Sequence, residues 1–392
     1  MAHQELKIQE TTLAHFQKIF IDEASLSSEV AQRVLQQFPQ EKVEILSSEQ
    51  IQQQFAKGSM DAKSFRQSKR QLLLTPFRGQ FFKRCPGASQ KKTLNCCNYY
   101  VLNLGQQCNF DCSYCYLQSY LNSPVMKLYT NLKDALQELD EMASQFSEHP
   151  FRVGTGEVVD SLSLDDISLY SRHLIEFFRK YPKWILEFKT KSDKIDTFLD
   201  CQHAGNVVVS WSINPQYIIT KEEHGTASLQ QRLSAARRCL DAGYRIAFHI
   251  DPLIYHPEWK QNYGEFIDLL TASFRPEDVH VISLGALRFQ PEQRYLMKER
   301  FGLDSLVTSA EMFPGEGAKL RYDASLRQEM FQFVRQRFVQ NNSNWNVFLC
   351  METPENWIAT YDQTPLQIPS LKEFFRPLPK IRHTEAFENK GN

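Results

Sequence analysis

Neither sign of charge dominates this chain. Its 45 Lys and Arg nearly balance its 46 Asp and Glu, so the molecule as a whole exerts no electrostatic pull on nucleic acid or membrane surfaces. No apolar run approaches the roughly 20 residues that cross a bilayer. The first residues, MAHQELKIQE, are polar and charged and lack the apolar stretch of a secretory signal. An even set of cysteines is missing as well. There are 9 in 392 residues, and three crowd one short loop, which favours metal binding and free thiols over a disulfide framework. Together these absences predict a cytoplasmic protein in a reducing compartment, with no membrane partner.

What is present reads as α/β. Residues 1–95 form a small N-terminal region of strand, helix and strand. Its helix runs roughly from Leu26 to Gln37, with Val30, Val34, Leu35 and Phe38 at helical spacing. VEIL is the second strand and EQIQQQFAK a short helix. The stretch 57–92 is locally basic. There Lys57, Lys63, Arg66, Lys69, Arg70, Arg78, Lys83, Arg84, Lys91 and Lys92 face one acid, Asp61. Such a stretch either meets a polyanion or is a solvated linker.

From 96 to 355, strands alternate with helices. NYYVLNLG, PFRVGTGE, KWILEFKT, NVVVSWSIN, YRIAFHIDPLI, VHVISLGALRF and NWNVFLC are the strands. DDISLYSRHLIEFFRKY and SLQQRLSAARRCLDAG are two of the helices, the second closed by Gly243. Near-continuous Val, Ile, Leu and Phe suit parallel strands covered by helices. Repeated βα units predict a partial (βα)6-type barrel. Residues 356–392, with Pro365, Pro369, Pro377 and Pro379, read as a C-terminal extension of loop and frayed terminus.

The loop CNFDCSYC places Cys108, Cys112 and Cys115 at the end of the first barrel strand. Structural zinc takes four protein ligands, and iron–sulfur clusters normally take four thiolates. Cys96 and Cys97 are at the far end of that strand, roughly 20 Å away if it is extended. Three thiolates therefore imply a metal position left open for a ligand that is not protein. One strand later comes Gly154-Thr155-Gly156-Glu157, where two glycines permit close backbone approach to a ligand and Glu157 accepts hydrogen bonds. Lys191 and Ser192 end the third strand, and Ser212 and Asn214 the fourth. These are C-terminal strand ends, where barrel sites are built.

C-x-x-x-C-x-aromatic-C resembles the signature of the radical S-adenosylmethionine enzymes. The resemblance implies a [4Fe–4S] cluster on Cys108, Cys112 and Cys115, with S-adenosylmethionine chelating the fourth iron. It further implies a 5′-deoxyadenosyl radical that abstracts a substrate hydrogen, and an electron donor such as flavodoxin or ferredoxin. GTGE looks like the segment that receives the cofactor's amino group, which makes Gly154, Thr155, Gly156, Glu157, Lys191, Ser192, Ser212 and Asn214 candidate cofactor contacts.

More specifically, CSYCYLQSY, FKTKSDKIDTFLD, SINPQYIITKEEHGTASLQQRLSAARRCLDAGY and KIFIDEASLSSEVAQRVLQQFPQEKVEIL resemble the spore photoproduct lyase family over residues 18 to about 335. The family splits a methylene-bridged thymine dimer in DNA, a carbon–carbon cleavage. The resemblance implies that Tyr114 packs on the adenine and Tyr116 relays hydrogen. The chain departs from the family at one position: a donor cysteine is expected on the second strand, and Gly154 stands there. Cys350, at the end of the last strand, is a substitute candidate. Damaged DNA would be held by the stretch 57–92 and by Lys319 and Arg321. The alternatives are a divergent radical enzyme with a non-DNA or modified-nucleotide substrate that consumes S-adenosylmethionine, and a non-catalytic iron–sulfur protein.

Overall fold

The computed structural model describes residues 6–56, 58, 60–85 and 93–376. Lys57, Lys91 and Lys92 of the basic stretch, and Pro377 and Pro379 of the tail, lie outside the described residues.

Strands β1 (Lys18–Asp22), β2 (Val43–Leu46) and β3 (Gln71–Thr75) run parallel with β1 in the centre. Parallel neighbours need a crossover, and helix Glu29–Gln37 supplies it between β1 and β2. This helix starts later than its periodicity predicts because the Ser28 hydroxyl accepts the Ala31 N–H as a cap.

β4 (Phe82–Arg84) then pairs antiparallel with β5 (Tyr100–Leu102). The stretch 98–105, expected as one strand, divides here. β5 stays with the barrel, while β6 (Gly105–Gln106) leaves it for the N-terminal sheet. After β7 (Asp111–Cys112) in the cysteine loop, β8 (Met126–Tyr129) pairs antiparallel with β6 and parallel with β3. The cysteine loop thus lies between two strands of the N-terminal sheet, reached from the first barrel strand through β6.

The barrel follows: β9 (Arg152–Gly154), β10 (Ile185–Thr190), β11 (Val207–Ser212), a two-residue β12 (Glu223–His224), β13 (Arg245–Leu253) and β14 (Val279–Ala286). Three short strands, β15 (Arg288–Phe289), β16 (Phe313–Gly315) and β17 (Lys319–Arg321), form a small antiparallel sheet. β18 (Val347–Leu349) closes the series. β5, β9, β10, β11, β13, β14 and β18 lie side by side in that order, all parallel. This is the expected partial barrel, although the ends of two expected strands, 98–105 and VHVISLGALRF, pass to other sheets as β6 and β15. Across its open side Asn95 bridges to Glu352, its N–H donating to the Glu352 carbonyl at 2.9 Å.

Alternation decides what each barrel face carries. Leu186, Phe188, Val207, Val209, Trp211, Ile246, Phe248 and Ile250 are buried apolar residues on one face. On the other, register aligns Gly154 with Glu187, and Ser212 with His249. That inner face also holds Lys189, Ser210 and Asp251, so the apolar-looking strands enclose a polar interior.

The helix expected over DDISLYSRHLIEFFRKY is broken into Asp165–Ser168 and Tyr170–Phe178 by Leu169 at φ 53°. The buried Asp165 carboxylate accepts the Ser171 N–H at 3.0 Å and the Thr197 hydroxyl at 2.5 Å, which pins the chain across the break. In the tail, a short helix Lys372–Phe375 packs Phe374 and Phe375 onto the core. No helix among the described residues is long and apolar enough to cross a membrane.

Candidate active site

The cysteine loop is held by its carbonyl oxygens. The buried Lys69 ammonium donates to the Cys108 carbonyl at 2.8 Å and to the Phe110 carbonyl, and lies 3.8 Å from the Asp111 carboxylate. Arg300 donates to Gln118 at 2.5 Å and pairs with Asp111. The Gln118 amide donates to the carbonyls of Ser113 (2.7 Å) and Cys115 (3.0 Å), and Gln293 donates to those of Tyr114 and Cys115 (3.1 Å each). β7 pairs antiparallel with β12, placing Cys112 opposite Glu223. Side chains thus tie down several of the loop's backbone carbonyls.

The thiols themselves stay free. Burial pushes Cys108 up to about 12 and Cys112 further up, and the neighbouring loop cysteines contribute in both cases. A metal must displace those protons to bind. The Phe110 N–H points at the Cys108 sulfur, 3.4 Å away. Among the described residues no three His, Cys, Asp or Glu side chains close on a single ion.

The glycine-rich segment meets this loop directly. The Tyr116 hydroxyl donates to the Glu157 carbonyl at 2.7 Å. The Glu157 carboxylate faces Lys83 at 3.1 Å. Thr155 donates through its hydroxyl to Ser161 at 2.7 Å. A Cβ on Gly156 would sit 2.9 Å from the Lys189 carbonyl and 3.0 Å from the Ser161 hydroxyl. Glycine is therefore required there by the packing of the segment on β10. At Gly154 a Cβ would meet the Tyr99 hydroxyl instead.

A second polar knot joins the remaining strand ends. Tyr114 donates to Glu223 at 2.5 Å, Asn214 donates to the same carboxylate at 3.2 Å, and Arg232 pairs with it at 2.7 Å. Arg232 also donates to the Ser212 carbonyl at 2.7 Å. The Lys191 ammonium lies 5.5 Å from the Tyr114 ring centroid. Burial opposes ionisation of Glu223, but Arg232 and Lys191 outweigh it and lower its pKa. Ser192 is turned to its own loop, where its hydroxyl accepts the Lys194 N–H at 3.1 Å. Glu223 and Arg232 were not singled out from sequence, although both lie in the quoted stretch that follows β11.

Below these groups, Glu187 accepts from Arg152 (3.0 Å), His249 (2.9 Å) and Ser210 (2.9 Å). Asp251 pairs with Arg288 at 3.2 Å. Cys350 follows β18 with its N–H on the Leu284 carbonyl at 2.7 Å, two residues past Phe348, which the register sets opposite the inner-face Ser283; burial, then Asp251, pushes its thiol up to about 12. Cys97 lies near Arg152, with its thiol pushed up by burial to about 11, and belongs to this lower group.

The model of the spore photoproduct lyase family matches residues 15–312. The chain belongs to that family. A spore photoproduct lyase from a Geobacillus species is 25% identical over 72% of this chain and 82% of its own length. The one from Bacillus subtilis is 29% identical over 51% of this chain and 59% of its own. A solved spore photoproduct lyase with bound AdoMet and dinucleoside spore photoproduct superposes with TM-score 0.73 at 23% identity, covering 86% of this chain and 99% of that one. Spore photoproduct lyases are radical S-adenosylmethionine lyases that use a [4Fe–4S] cluster, and the three free thiols fit that group.

Two expectations about DNA contacts change. Arg321 is buried and paired with Glu352 (3.2 Å) and Glu316 (3.4 Å), so it is a structural cation. The basic stretch is not a free linker: Lys69 holds the cysteine loop, Lys83 faces Glu157, Arg66 donates to the Arg300 carbonyl at 3.1 Å, and Arg84 donates to the Tyr100 hydroxyl at 3.3 Å.

Proposed function

We propose that this protein cleaves a methylene-bridged thymine photoproduct in damaged DNA. The observation that carries the reading is the Tyr116–Glu157 bond, which joins the three-thiol loop to the glycine-rich strand end over a polar barrel interior. Cys108, Cys112 and Cys115 would hold the iron–sulfur cluster. Backbone groups of Gly154, Thr155 and Gly156, with Glu157, receive the amino group of S-adenosylmethionine. Lys191, Ser212 and Asn214 meet its other polar groups. Tyr114, fixed by Glu223, offers its ring to the adenine. When bound, the pair of cofactors supplies a 5′-deoxyadenosyl radical.

The rest of the site positions the lesion. A dimer inside a duplex cannot reach a barrel interior, so it must leave the base stack. Lys189, Arg288 and Asp251 then present charge and hydrogen bonds to its polar edges. Tyr116, 41% exposed in the cysteine loop, is the candidate for hydrogen relay. Cys350 is one candidate for the final hydrogen donor.

The test is anaerobic reconstitution with iron and sulfide, then dithionite, S-adenosylmethionine and ultraviolet-treated DNA carrying the lesion. Lesion-dependent 5′-deoxyadenosine and restored thymine are expected. Cleavage of the cofactor that ignores the lesion would instead favour a second reading, a non-DNA or modified-nucleotide substrate. The engagement of Arg321 and much of the basic stretch inside the fold speaks for that second reading.

A further inference from the structure

The glycine at 154 is not explained by its backbone, because its φ lies outside the left-handed region. Space explains it. An ideal Cβ on Gly154 would lie 1.6 Å from the Tyr99 hydroxyl oxygen and 2.2 Å from the ring carbon that bears it. The Tyr99 hydroxyl therefore occupies the volume that any side chain at 154 would fill. Tyr99 directly precedes β5, and register sets Val101 opposite Gly154. Tyr99 and Val101 thus point to the inner face together.

The hydroxyl is unusually placed in a second respect. It is buried, and no atom among the described residues hydrogen-bonds to it. Buried hydroxyls are normally paired, and an unpaired one is costly unless something else uses it. The Arg152 guanidinium lies over the face of the ring, 5.3 Å from its centroid. Burial, with the Glu187 charge adding to it, keeps the phenol protonated well above its ordinary range. The group is a neutral O–H aimed into the barrel, not a phenolate.

Resting on the photoproduct reading above, we infer that Tyr99 is the hydrogen-atom donor that completes the repair, delivering from one β-strand what a side chain at 154 would deliver from the next. The balance is simple. Once the methylene bridge has broken, the remaining thymine-centred carbon radical takes a hydrogen atom from the Tyr99 hydroxyl. The O–H bond breaks homolytically, a C–H bond forms, and a neutral tyrosyl radical is left. One electron from a flavodoxin- or ferredoxin-class reductant and one solvent proton restore the phenol. S-adenosylmethionine is then consumed once per lesion.

The test compares wild type with Tyr99→Phe, which keeps the ring and removes only the donated hydrogen. Expected is a fall of about ten-fold or more in restored thymine per 5′-deoxyadenosine formed, with abortive products in its place. Freeze-quenched wild-type turnover shows a tyrosyl radical that ring-deuterated tyrosine narrows, and Tyr99→Phe lacks it. The geometry has its own readout in cofactor-free protein: Gly154→Ala lowers the unfolding temperature, and adding Tyr99→Ala recovers it. The double variant Gly154→Cys/Tyr99→Ala, with a thiol in the vacated space, restores thymine yield. An unchanged product ratio in Tyr99→Phe, with stalling in Cys350→Ala instead, overturns the inference. No lesion turnover by wild type removes the parent reading and this one with it.

Discussion

The Tyr116 hydroxyl and the Glu157 carbonyl, 2.7 Å apart, make one unit of two motifs 41 residues apart in sequence. A change in the glycine-rich segment is therefore felt at the cysteine loop. Tyr116→Phe removes this bond and leaves the ring. The loss is about 1 kcal/mol, or roughly five-fold weaker S-adenosylmethionine binding to the reconstituted protein, measurable by equilibrium titration. Unchanged affinity would mean that the two segments are positioned independently.

The barrel floor predicts acid sensitivity. Burial opposes ionisation of Glu187, but the His249 bond and the Arg152 guanidinium outweigh it, and its pKa lies below the ordinary carboxylate value. Burial, then Lys189, lowers the pKa of His249. Both groups bind fewer protons folded than unfolded, so each contributes stability above its unfolded pKa that is lost as the pH falls. His249 acts below about 6.5 and Glu187 below about 4.3. Denaturant midpoints should therefore fall in two steps on acidification. Glu187→Gln strands Arg152 without a countercharge, costs about 3–5 kcal/mol near neutrality and weakens the lower step. A midpoint that does not change with pH would contradict this assignment.

The sequence made the strands legible because their apolar periodicity is long and each lies next to its successor in the sheet. It made the cysteines legible because their spacing is chemical. It hid the barrel interior. Glu187, Ser210 and His249 sit in runs that read as apolar, and only the pairing register shows that they share a face. It also hid the division of 98–105, since the partner of β6 is β8, which follows in the chain. Tyr99 reads as one aromatic in a strand, and only the close approach of its hydroxyl to Gly154 gives it a position.

Lys69 illustrates the same limit and carries a third prediction. Composition placed it in a basic stretch, yet it is 3% exposed and donates to the Cys108 and Phe110 carbonyls. Lys69→Met keeps much of the chain's bulk and leaves both carbonyls and Asp111 without that donor. Stability should fall by about 1–3 kcal/mol. The reconstituted protein should also hold fewer irons per chain than wild type at equal folded fraction. Full iron content would show that the loop is shaped by its other anchors, Gln118 and Gln293, alone.

Lys319 and Arg321 sit two residues apart on β17 and should behave oppositely toward DNA. Lys319 is partly exposed, and burial, then Arg288 and Arg321, lowers its pKa. A cation crowded by other cations gains from a phosphate neighbour. Arg321 is 1% exposed and already paired with Glu352. Lys319→Ala should weaken duplex binding and reduce the slope of log affinity against log salt by about 1, read by fluorescence anisotropy across a salt series. Arg321→Ala should leave the slope alone in the folded fraction and cost about 3–5 kcal/mol in stability, because Glu352 loses a buried countercharge. If the slope instead follows Arg321, that side chain must leave Glu352 when DNA binds, and β17 would have to move with it.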